Sequence, residues 1–192
     1  MSLLGNILSF NETFVENKEY EKFATTKFPD KRVVILTCMD TRLVELVTEA
    51  MNFKNGDVKI VRNAGAIVNH PFGSIMRSLI VAVYQLQADE VLIVGHHDCG
   101  MSSLSSEAVI DAMKERGIKQ EVVDTLRQAG IEVDKWLSGF NSVEESVAHS
   151  VNMVKSHPLM ADTIPVHGLV INPSTGKLDL VVDGYKEEEA VL

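Results

Sequence analysis

A chain of 192 residues, 45% apolar and 23% charged, has the make-up of one globular domain and lies within the roughly 250 residues that a single core serves. Twenty-seven Asp and Glu against eighteen Lys and Arg leave a formal net charge of −9, which repels polyphosphate backbones and argues against a nucleic-acid partner. No apolar run approaches the roughly 18 residues of a membrane helix, and Met1-Ser-Leu-Leu-Gly-Asn-Ile-Leu lacks the basic start of a secretion signal, so a cytoplasmic protein with no membrane partner is expected.

Residues 1–22 read as an N-terminal arm, in which Ile7, Leu8, Phe10, Phe14 and Val15 give 5–20 an amphipathic helical character. Lys31-Arg-Val-Val-Ile-Leu-Thr37 is a β-branched run and predicts a strand. Residues 42–51 carry apolar side chains at 43, 46, 47 and 50, one face of a helix, and Asp40 is placed to cap that helix as it opens at Thr41. A strand over 57–61 precedes a helix over 73–87, striped by Met76, Leu79, Ile80 and Val83, and a third strand covers 90–94. Helices follow over 105–116, 119–129 and 142–156, the last opened by Asn141-Ser-Val-Glu144 as a capping box. Two strands, 165–171 and 177–182, join through Pro173-Ser-Thr-Gly176 into a hairpin, and 184–192 reads as a solvated tail. No repeat or linker interrupts this order, so one domain over 1–192 is expected.

Alternating strands and helices predict an α/β fold: a mostly parallel central sheet with flanking helices, an antiparallel edge strand and the N-terminal helical arm. Ligands of such sheets gather beyond the carboxyl ends of the strands, where strand order reverses, which here means residues 37–42, 62–70 and 95–101.

Two of those segments hold both cysteines of the chain. Cys38-Met-Asp-Thr-Arg42 leaves the first strand and Gly95-His-His-Asp-Cys-Gly100 leaves the third. If those strands are neighbours, Cys38, His96 and Cys99 can share a metal ion with a fourth position left for water, the arrangement of catalytic rather than structural zinc. The competing reading is two buried, inert thiols at strand ends. His97 competes with His96, but the two-residue gap of His96-x-x-Cys99 returns both donors to one ion more readily. Asp40 and Arg42 are either a helix cap and a solvated cation, or a dyad in which Arg42 keeps Asp40 ionised to orient the attacking water. Asn63, Ala64 and Gly65, within Arg62-Asn-Ala-Gly-Ala-Ile67, lack the glycine spacing of a nucleotide loop and read as a wall of the substrate pocket. His70 is either a proton relay to solvent or a surface histidine; His149 and His157 are expected in solvent, and His167 packed and hydrogen-bonded.

At these motifs the chain resembles the β-class carbonic anhydrases. Cys38-Met-Asp-Thr-Arg42 is similar to the family's Cys-x-Asp-x-Arg element and His96-His-Asp-Cys-Gly100 to its His-x-x-Cys-Gly element. Arg62-Asn-Ala-Gly65, His167-Gly and Thr175-Gly-Lys-Leu178 are also family-like, so the resemblance spans about residues 30–183. It implies one Zn²⁺ per chain on Cys38, His96 and Cys99, a supporting Asp40–Arg42 dyad, and a lyase activity: reversible hydration of carbon dioxide to bicarbonate and a proton. It further implies a homodimer or higher homo-oligomer with active sites near the subunit interface. The short chain looks most like the archaeal and bacterial clade, which also resembles hydrolases of carbonyl sulfide and carbon disulfide. Such a hydrolase, or a non-catalytic zinc protein with Asp40 filling the fourth position, are the alternatives. Ala66 stands where the family commonly has asparagine, and the plant-type glutamine has no clear counterpart.

Overall fold

A computed structural model of the chain describes residues 2–186. Its first helix, α1 (Leu3–Glu16), is opened by Ser2, whose hydroxyl accepts the Gly5 N–H at 3.1 Å. The helix expected over 5–20 stops early because Lys18 takes a left-handed backbone at φ +56°, and a 3₁₀ turn (Glu19–Phe23) follows. None of the α1 residues is buried.

Strand β1 (Val33–Cys38) is buried at every position, the signature of a strand covered on both faces. Helix α2 (Leu43–Ala50) starts two residues later than the sequence suggests, and Asp40 does not cap it. The Asp40 carboxylate instead accepts the Arg42 N–H at 2.9 Å in the tight turn before the helix, where the Leu43 N–H bonds the Asp40 carbonyl at 3.1 Å. Strand β2 (Val58–Asn63) runs two residues further than predicted, since pairing with β1 extends to Cys38 opposite Asn63. Helix α3 (Ser74–Tyr84) buries Met76, Leu79, Ala82 and Val83, and β3 (Glu90–His96) ends on His96. Helices α4 (Ser106–Glu115) and α5 (Gln120–Gln128) match their expected ranges, whereas the short α6 (Val133–Leu137) was not foreseen. Its five residues are too few to show a periodic stripe, and its shelter comes from the small cluster of Ile110, Val123 and Val133.

Helix α7 (Val143–Lys155) is capped one residue later than predicted: Ser142, not Asn141, accepts the Glu145 N–H at 3.2 Å. The chain then turns back, so His157, expected in solvent, is buried with its Nδ1 accepting the Leu159 N–H at 3.2 Å and the Phe72 ring edge-on 5.2 Å away. Strands β4 (Val166–Ile171) and β5 (Leu178–Val182) form the hairpin. His167 is packed as expected, its Nδ1 accepting the Gly184 N–H at 3.1 Å beneath the Tyr185 ring. The segment predicted as a solvated tail therefore begins docked at Gly184; residues 187–192 lie outside the described residues.

The sheet order is β2-β1-β3-β4-β5, parallel except for the antiparallel β4–β5 pair. From β1 the chain crosses to one side and from β3 to the other, so strand order reverses between β1 and β3. Val34, Leu36, Val91 and Ile93 meet α3 and α7 on one face, while Val33, Ile35 and Val94 join Leu43 and Val47 of α2 on the other. A Cβ on Gly95 would lie 2.7 Å from Val143 and Val147, so only glycine lets α7 press against the end of β3. Among the described residues no helix is long and apolar enough to cross a membrane.

Candidate metal centre

Cys38 is the last residue of β1 and His96 the last of β3, side by side where the strand order reverses. The Thr37 hydroxyl donates to the Val94 carbonyl at 3.0 Å and ties the two strand ends together. Beyond β3 the turn His96-His-Asp-Cys99 brings Cys99 back over the strand ends, with Asp98 in the left-handed region at φ +54°. Cys38, His96 and Cys99 are all buried, and their donor atoms lie within 4.8 Å of one another.

This arrangement fits a tetrahedral thiolate-rich ion. The two sulfurs are 3.9 Å apart, too far for a disulfide. Two zinc–sulfur bonds of about 2.3 Å at a tetrahedral angle require about 3.8 Å. The His96 Nδ1 lies 2.8 Å from the His97 carbonyl, which can only accept, so Nδ1 carries the proton and Nε2 presents its lone pair. That Nε2 is buried with no hydrogen-bond partner, within reach of the two cysteine sulfurs. His97 lies outside the cluster.

Burial raises the Cys38 thiol, but the His96 ring and the N–H groups of Gly65 and Asp40 outweigh it and bring it down to about 7. The Gly65 N–H points at the Cys38 sulfur from 3.3 Å. Burial dominates at Cys99, which the neighbouring Cys38 pushes further, up to about 11. For His96, burial pulls down while Cys38 and the His97 carbonyl push harder upward. Without a metal, the site therefore shares protons among three ligand groups that a cation would displace.

Asp40 and Arg42 do form a pair. Arg42 donates from Nε to Oδ1 at 3.0 Å and from Nη2 to Oδ2 at 2.8 Å, the two-pronged geometry of a strong arginine–carboxylate pair. The guanidinium holds Asp40 down at about 2. Asp40 Oδ2 also sits 3.8 Å from His96 Nε2, at the edge of the donor cluster. The remaining Arg42 donors reach Asp98, Nη1 to its carboxylate at 2.7 Å and Nη2 to its carbonyl at 2.9 Å. Asp98 was missed by sequence reasoning, although a carboxylate inside the His-x-x-Cys turn is a natural partner for the cation of the facing turn.

The loop after β2 braces the donor cluster. The Asn63 amide is used within the loop, donating to the Ile67 carbonyl at 2.7 Å and accepting the Ile67 N–H at 3.1 Å. Ala64 opens a 3₁₀ turn and Gly65 adopts φ +79°, which aims its N–H at Cys38. Arg62, also unassigned from sequence, donates to the carbonyls of Cys38, Leu43 and Val44 at 3.2, 3.0 and 3.0 Å and fixes the turn that carries Asp40. His70 is exposed, accepts the Phe72 N–H at 3.1 Å, and shares a cavity of about 750 Å³ with Ile67, Trp136, Phe140, Glu145 and the exposed His149. The cavity is lined by none of the three donor residues, but its Phe140 packs against the buried cluster to which Cys38 and Cys99 belong.

A family model described as carbonic anhydrase matches residues 33–178. The chain is 60% identical over 185 residues to "Putative carbonic anhydrase YtiB" of Bacillus subtilis (strain 168), covering 96% of this chain and 99% of that one. Among solved structures, β-carbonic anhydrase isoform I (TvaCA1) from Trichomonas vaginalis superposes with a TM-score of 0.87 at 34% identity, over 96% of this chain and 100% of that one. The carbon disulfide hydrolase of Acidithiobacillus thiooxidans is 27% identical over 158 residues, 78% of this chain and 76% of that protein. With a family model spanning the four parallel strands and both cysteine turns, and a structural match over almost the whole chain, this protein belongs to the β-carbonic anhydrase family.

Proposed function

We propose that the chain binds one zinc ion through Cys38 Sγ, His96 Nε2 and Cys99 Sγ and catalyses the reversible hydration of carbon dioxide to bicarbonate and a proton. The observation that carries this reading is the convergence of two thiols and an unpartnered imidazole nitrogen, beside a carboxylate held by arginine. Zinc, when bound, supplies a Lewis acid that acidifies water and stabilises charge developing on the attacked carbon dioxide. The chain's own groups do the rest. Asp40, kept ionised by Arg42, accepts a hydrogen bond from the attacking water and orients its lone pair. The Gly65 N–H spreads the negative charge of Cys38. His70, with His149 in the same cavity, carries the released proton toward solvent. The pairing of Asp40 with Arg42 supports a fourth metal position open to water rather than a closed, non-catalytic clamp. Because two thiolates neutralise the cation, water is acidified less than by a neutral ligand set, and the rate is expected to rise into mildly alkaline pH.

A second reading, hydrolysis of carbon disulfide or carbonyl sulfide, is favoured by the carbon disulfide hydrolase among the relatives. Stopped-flow hydration on zinc-quantified protein, with carbon disulfide hydrolysis run alongside, separates the two. Carbon dioxide turnover well above about 10 per second is expected. Negligible hydration with rapid release of sulfide would transfer the assignment to the second reading.

The site's two free thiols suit a reducing cytoplasm. The apolar face of α1, with Leu3, Leu4, Ile7, Leu8 and Phe10 all exposed, supports a homodimer or larger assembly in which the arm covers a second copy. Deleting residues 1–22 should lower the number of subunits measured by light scattering, and an unchanged number would remove the arm from the interface.

A further inference from the structure

We infer that Asp98 is a positioning residue, which through Arg42 keeps Asp40 turned away from the fourth metal position. The inference rests on the reading of Cys38, His96 and Cys99 as the metal ligands. Three facts of geometry support it. First, the Arg42 guanidinium is shared without conflict: Nε and Nη2 serve the Asp40 carboxylate, while Nη1 serves Asp98 Oδ2 at 2.7 Å and Nη2 also reaches the Asp98 carbonyl. Both edges of the planar group are thereby fixed, so its orientation toward Asp40 is not left to a freely rotating chain. Second, the contact spans the two turns that carry the two cysteines, since Arg42 leaves β1 and Asp98 leaves β3. Third, Asp98 itself is held at φ +54°, a conformation that aspartate tolerates and most residues do not, and its side chain is 84% exposed with no packing task to perform.

Asp40 Oδ2 lies 3.8 Å from His96 Nε2, close enough that a modest rotation would bring it to the ion in place of water. Two arrangements of Asp40 therefore compete, and whatever immobilises Arg42 favours the open one. One solvent-exposed, charge-assisted hydrogen bond shifts such a balance by a factor of roughly two to ten.

The test uses cobalt-substituted full-length protein, whose visible spectrum reports coordination, titrated with thiocyanate as a small anion that enters only an open position. Asp98→Gly suits the left-handed backbone and removes only the carboxylate; it should bind thiocyanate roughly two- to tenfold more weakly than wild type. Asp98→Asn also accepts that backbone, keeps an acceptor for Nη1, and should restore wild-type affinity. In an Asp40→Ala background the glycine substitution should have no effect on thiocyanate, because no carboxylate remains to close the site. Wild-type affinity in Asp98→Gly, or an equal loss with and without Asp40, overturns the inference while leaving the metal assignment standing. Wild-type protein that takes up no cobalt overturns the metal assignment and the inference with it, whereas wild-type protein that binds cobalt but whose spectrum ignores thiocyanate overturns the inference alone.

Discussion

Replacing Cys38 or Cys99 with serine is expected to leave the purified protein with almost no zinc and no measurable hydration of carbon dioxide. A serine hydroxyl does not ionise in the working pH range and is a poor ligand, so metal affinity should fall by at least about a thousandfold. The fold should survive, because Cys38 ends its strand, Cys99 lies in the turn beyond β3 and the exchange is nearly isosteric; circular dichroism checks this. His96→Ala should lose zinc in the same way and His97→Ala should retain it, since only His96 belongs to the buried donor cluster. The pH dependence of zinc uptake by the wild type follows from the same groups. Between about pH 7.5 and 9 binding must expel the Cys99 proton, held up to about 11, so affinity should climb about tenfold per pH unit. Below the Cys38 value of about 7 a second thiol must also be deprotonated, and the raised His96 competes for a proton too, so the slope steepens as pH falls. Full zinc occupancy in both serine variants, measured by elemental analysis, would sink the ligand assignment.

Asp40→Ala should keep its zinc yet lose turnover by about 10- to 1000-fold, the range expected when an attacking group loses its positioning and electrostatic partner. Arg42→Ala should also keep zinc and lower activity, by the opposite route: Asp40, without its two-pronged partner, is free to move toward the metal. Asp40 is held at about 2, far below any working pH, so its own titration cannot generate an alkaline activity profile. At full zinc occupancy, a rise in wild-type rate between about pH 6.5 and 9 is then assigned to the water that Asp40 orients. Zinc content and hydration rate measured together across that range decide the matter. Wild-type rates at every pH in both variants would leave Asp40 as a turn-forming residue only.

The exchange between Asp40's expected and observed local roles shows how sequence reasoning works and where it stops. A carboxylate before an apolar helical stripe is a reasonable cap, but here it bonds the N–H and guanidinium of Arg42 within a tight turn, and the helix begins after that turn at Leu43. The same limit explains the one-residue error at α7, where Ser142 rather than Asn141 makes the capping bond. His157 could not be placed from periodicity, because it lies past the end of α7 and meets Phe72 from far along the chain.

Local periodicity and residue chemistry alone determined the alternating strands and helices, the antiparallel hairpin at the end, and the three strand-end segments where chemistry would gather. Those features depend on side-chain spacing within a few turns, which a sequence displays directly. The grouping of Cys38, His96 and Cys99 as candidate ligands was also legible, because few residues near the strand ends carry suitable donors, and the three side chains do converge. What only the tertiary structure decided are relations between distant segments. The adjacency of β1 and β3 brings two sulfurs to 3.9 Å, and the His97 carbonyl selects the His96 nitrogen that faces them. The Gly65 N–H reaches Cys38 across the neighbouring strand, and Arg42 spans 56 residues of sequence to meet Asp98. Each of these depends on strand order and backbone direction, set by packing of the whole sheet rather than by any local stretch of chain.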